Sequence, residues 1–102
     1  MSYESVCDLF ELFTGVSGEC CQAIIVEAIR TIYGLAKESA DTTDIRFSYL
    51  AAAYASYDYY KIQSIVDKKK DYEIQINFCK QLIESYKVFC ADLLLEVENA
   101  ED

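Results

Sequence analysis

Five cysteines, Cys7, Cys20, Cys21, Cys79 and Cys90, are the most nucleophilic side chains in this sequence, and no histidine accompanies them. Histidine is the commonest general base and metal ligand near neutral pH. A cysteine nucleophile would therefore depend on a neighbouring cation, and the only candidate is Lys80 beside Cys79. The spacing does not suit zinc: there is no Cys-x-x-Cys pair, and on a helix the adjacent Cys20 and Cys21 point about 100° apart. An odd number of cysteines in apolar surroundings, behind an N-terminus with no basic-then-apolar start, predicts free thiols packed as small hydrophobes in a reducing compartment.

The other chemistry-bearing patterns are weaker. Asp41 with Asp44, and Glu96 with Glu98, are carboxylate pairs, but neither has the glycine-centred loop and distant bidentate glutamate of a calcium site. Gly15-x-x-Gly18 has neither the third glycine nor the lysine of a phosphate loop, and reads as punctuation between helices. Lys68, Lys69 and Lys70 form the one basic run, enclosed by Asp67 and Asp71 in a chain of net charge −9. Such a field repels a phosphate backbone, which argues against nucleic-acid stacking as the role of the nine tyrosines. Tyrosine joins a large apolar body to a polar tip, so its expected place is a core edge or a subunit interface. The sequence thus predicts no catalytic residue, no cofactor and no metal.

The elements that must position these residues are helical. At 102 residues the chain is one domain's worth, 53% hydrophobic and 26% charged, with no proline and three glycines. No apolar run approaches the roughly 20 residues needed to span a bilayer. Val6, Leu9, Phe10 and Phe13 give a first helix over residues 5–13, which Gly15 can end and after which Ser17 can cap the next. A broad apolar stripe through Cys21, Ala28, Ile32 and Leu35 predicts a second helix over 18–38. After the capping residues Asp41, Thr42, Thr43 and Asp44, a third spans 45–66. Its alanines 51, 52, 53 and 55 allow close approach and make it the central helix. Residues 72–78 alternate Tyr72, Ile74, Ile76 and Phe78 with Glu73, Gln75 and Asn77, a period of two that predicts an extended arm, although the stretch can also open the last helix. That helix starts near 77 or 78 and carries Cys79, Leu82, Ile83, Tyr86, Leu93 and Val97 on one side.

Two stretches together resemble a known family. Leu12-Phe13-Thr14-Gly15-Val16-Ser17-Gly18-Glu19, followed one helix later by the run from Asp44-Ile45-Arg46-Phe47-Ser48-Tyr49-Leu50-Ala51-Ala52-Ala53 to Asp58-Tyr59-Tyr60, is similar to the head–tail connector proteins of phages and prophages. The likeness extends to the order of elements over most of the chain. It implies a structural protein of the virion neck, assembled as a ring on the portal between capsid and tail, with no catalytic residues to carry over.

The resulting expectation is an all-α protein, a compact bundle of about four helices with one short extended arm before the last helix. Residues 1–98 form a single domain and 99–102 an acidic, disordered tail. Leu50, Tyr54, Ile65, Leu82, Tyr86 and Leu93 are expected in the core. Tyr57, Tyr60, Tyr72, Ile74 and Ile76 are expected at an interface through which copies associate, the arm adding a strand to its neighbour. The expected partners are further copies and portal or tail proteins, in the bacterial cytoplasm or at the virion neck, with no nucleic acid or membrane bound. The alternative is a small acidic helical binding or regulatory module engaging a basic protein partner.

Overall fold

The computed structural model describes residues 1–95 and shows an all-α bundle of four helices: α1 (Tyr3–Thr14), α2 (Gln22–Leu35), α3 (Ile45–Val66) and α4 (Glu73–Phe89). The tail at 99–102 and Val97 lie outside the described residues. No single helix among the described residues is long and apolar enough to cross a membrane.

Local capping sets most boundaries. The Ser2 hydroxyl accepts from the Ser5 amide to start α1, and Gly15, at φ 74°, ends it by donating its N–H to the Glu11 carbonyl. Ser17 caps a 3-10 turn, Gly18–Cys21, that precedes α2, so α2 starts four residues later than the apolar stripe suggests. Gly18 is packed so closely that an added Cβ would lie 3.0 Å from the Cys7 sulfur. Asp44 caps α3 by accepting from the Arg46 amide.

The central place expected for α3 is realised. Phe47, Ser48, Leu50, Ala51, Ala52, Ala53, Ala55 and Ser56 are buried, so buried residues fall on every side of the helix between Phe47 and Ser56, and α1, α2 and α4 each pack against it. Four alanines remove the side-chain bulk that would hold three neighbouring helices off. Ser56 is accommodated because its hydroxyl donates to the Ala52 carbonyl at 2.8 Å. Phe10, Ile25, Ile32, Phe47 and Leu50 are the largest side chains with no exposed surface.

The extended arm expected at 72–78 is not there: the segment is the first turns of α4, with the Ile76 amide bonded to the Tyr72 carbonyl. The apparent alternation is two interleaved helical sets. Residues four apart share a helix face and residues two apart stand nearly opposite, so Tyr72 and Ile76 face α3 while Ile74 and Phe78 face solvent. The Asp71 carboxylate favours the helix by accepting from the Glu73 amide at 2.9 Å. Strand addition between copies is withdrawn with the arm.

The last helix also ends early. After Phe89 a 3-10 turn, Ala91–Leu93, buries Leu93 and redirects the chain to α2. There Lys37 N–H donates to the Leu93 carbonyl and Leu95 N–H to the Leu35 carbonyl, around an isolated bridge between Ala36 and Leu94. Of the expected core, Leu50 and Leu93 are buried and Tyr54, Leu82 and Tyr86 half-buried. Ile65 is 66% exposed, because the last turns of α3 run past the helices that cover its first half.

Candidate functional site

The far end of α3 and the start of α4 form a helical hairpin whose turn holds Lys68, Lys69 and Lys70. Aromatic rings connect it to the core. Phe10 meets Tyr59 edge-on at 5.8 Å between centroids, Tyr59 meets Tyr60 at 5.2 Å, and Tyr60 meets Tyr72 across the hairpin at 6.1 Å. Burial raises the phenol pKa values of Tyr59 and Tyr60 and keeps both neutral.

The five expected interface residues fall into two groups. Tyr60, Tyr72 and Ile76 are half-buried in the α3–α4 seam, and Tyr57 is half-buried beneath the Lys61 ammonium at 5.9 Å. Tyr60 and Tyr72 join the two helices of the hairpin, while the contact of Tyr57 lies within α3. Only Ile74 stands free, at 82% exposure, with Phe78 beside it one turn on. Ile62, Ile65 and Val66 are the exposed apolar residues of the α3 arm.

Sequence reading missed an ionic staple at the other end. Arg46 at the start of α3 donates to Asp44 and Asp92 carboxylate oxygens, each at 2.9 Å, and to the Phe89 carbonyl at 3.0 Å, with its guanidinium over the Phe89 ring. These bonds hold the Asp44 and Asp92 carboxyls below the usual carboxylate range and satisfy a carbonyl at the end of α4. Asp44 and Asp92 are far apart in sequence, so no local pattern announces the staple.

Among the described residues, grooves indent the surface beside α1 and beside α2. One, of about 460 Å3, lies between α1 and the 3-10 turn and carries the carboxylates of Glu4, Asp8, Glu11 and Glu19 beside Tyr3 and Cys7. Glu11 is engaged there, accepting from the Gly18 amide at 2.9 Å. The other lies between α2 and α3, where Ala23, Ile24 and Ile62 form an apolar floor flanked by Glu27 and Asp58. Burial, reinforced by Glu27, pushes the Asp58 carboxyl pKa up.

The thiols are packing groups in part. Cys21, Cys79 and Cys90 are buried, Cys7 is half-buried and Cys20 is exposed. Burial pushes Cys79 up to about 11, so it is a neutral thiol at pH 7, and Lys80 does not activate it. Among the described residues no three metal-ligating side chains converge.

Comparison of this chain with protein families, with curated proteins and with solved structures finds no match.

Proposed function

We propose that this chain is a non-enzymatic assembly protein of the head–tail connector kind, whose copies associate with one another and with portal or tail proteins at a virion neck in a bacterial host. The observation that carries the reading is the set of exposed apolar side chains on the α3–α4 hairpin: Ile62, Ile65, Val66, Ile74 and Phe78. Burying them against another protein removes apolar surface from water at about 25 cal/mol per Å2, whereas a free hairpin gains nothing from them.

The test is binding of the purified chain to itself and to the capsid, portal and tail proteins encoded beside its gene, by light scattering and co-sedimentation. Association that Ile65→Glu with Ile74→Glu removes supports the reading. A chain that stays monomeric alone and in the presence of those proteins overturns it.

The α1 groove favours the second reading, an acidic module for a basic protein partner, because Glu4, Asp8, Glu11 and Glu19 line one surface. Salt-sensitive capture of a basic protein, lost when Glu4 and Asp8 become glutamines, is its distinguishing result.

A further inference from the structure

Helix α4 has a face that its neighbours do not explain. Its four charged residues, Glu73, Lys80, Glu84 and Lys87, fall within an arc of about 60° when successive residues turn by 100°. Its α3-facing side holds Ile76, Cys79, Ile83 and Tyr86. The remaining side faces away from α3 and is uncharged, although the protein carries a net charge of −9. It bears Ile74, Phe78, Gln81, Ser85 and Val88, with Ile74 82% and Val88 77% exposed. Their spacing of four, three, four and three is the seam that packs against another helix.

The pattern points to what covers it. Taken about Gln81, the seam is close to palindromic. Run antiparallel to a second copy of itself, it sets Ile74 against Val88 of the other copy, Phe78 against Ser85, and Gln81 against Gln81. A large ring then lies opposite a small side chain, and two amides that can bond each other lie at the centre. The antiparallel orientation also opposes the two helix dipoles, which a parallel pair would align.

We infer that the uncharged face of α4 is a two-fold interface with a second copy of this chain, the two α4 helices packing antiparallel about Gln81. The inference rests on the reading that copies associate and specifies the geometry of the first contact. A two-fold pair closes on itself, so any larger assembly grows from another surface, for which Ile62, Ile65 and Val66 on α3 are free.

Sedimentation equilibrium of the full chain under reducing conditions, with helicity followed by circular dichroism, tests it. Wild type is expected as a reversible dimer. Phe78→Lys alone and Ser85→Glu alone each weaken it by about tenfold or more, since each sets a charge against an apolar or uncharged partner in the seam. Phe78→Lys with Ser85→Glu in one chain returns the affinity to within about threefold of wild type, because each lysine then meets the other copy's glutamate. An associating wild type that neither single variant weakens, or a double variant no tighter than the singles, overturns the antiparallel interface and leaves self-association standing. A wild type that never associates overturns the antiparallel interface, and the assembly reading falls with it only if the portal and tail proteins also fail to bind.

Discussion

One helix, α3, carries two regions that obey different rules. Between Phe47 and Ser56 buried residues fall on every side of the helix, and they are small or tightly fitted: Phe47, Leu50, Ala51, Ala52, Ala53 and Ala55. In its last two turns the same helix holds Ile62, Ile65 and Val66 in water. The first half accounts for the fold. The second holds hydrophobes of similar size in positions that no neighbouring helix covers. The contrast separates apolar residues that fold the chain from apolar residues available to another protein.

The contrast is sharpest in stability. Phe47→Ala should cost about 3–5 kcal/mol and Leu50→Ala about 2–5 kcal/mol in chemical denaturation, because each leaves a cavity among helices that cannot close on it. A cost below about 1 kcal/mol at both would show that the enclosed half is looser than its burial indicates. Ala52→Leu should destabilise by about 1–3 kcal/mol, since the missing bulk is what lets the neighbouring helices approach.

Arg46 connects the covered half of α3 to the end of α4. Arg46→Ala should lower the melting temperature by less than Leu50→Ala does, and by more at pH 7 than at pH 3. Asp44 and Asp92 have lowered pKa values in the folded chain, each chiefly through its hydrogen bond with Arg46. Their contribution is present above the ordinary carboxylate range and is lost as pH falls through the lowered values. Replacing both by asparagine should flatten the acid limb of the stability profile. Asp58 behaves oppositely: its raised pKa means that the ionised form opposes folding at neutral pH, an opposition removed as pH falls through the raised value. Asp58→Asn should therefore raise the melting temperature at pH 7 and leave it nearly unchanged at low pH.

The smallest effects belong to the hairpin. Ile65→Ala and Ile74→Ala should each change monomer stability by no more than about 0.5 kcal/mol. A cost as large as that at Leu50 would erase the distinction between the two regions.

The ends of α3 could be read from sequence because both its caps and its interior are local: Asp44 supplies an acceptor, and the charged turn after Val66 offers no apolar surface to bury. Gly15 and Ser17 were legible for the same reason. The segment 72–78 misled because a period of two and two interleaved periods of four look alike over seven residues. What distinguishes them is the surface that Tyr72 and Ile76 meet, which belongs to α3. Ile65 misled because correct helical spacing does not say whether a neighbour reaches that turn. Of the expected interface residues, Ile74 alone is open; Tyr57, Tyr60, Tyr72 and Ile76 have the right amphipathic chemistry but are occupied within the chain.

Sequence alone determined the helical class, the central helix and the turns, because capping, alanine content and apolar spacing act within a few residues of one another. Tertiary structure alone decided which apolar residues are covered, which cysteines are buried, and that Arg46 closes the end of α4. Burial and long-range ion pairing depend on where other elements stop, and a helix records its own period without recording the length of its neighbours.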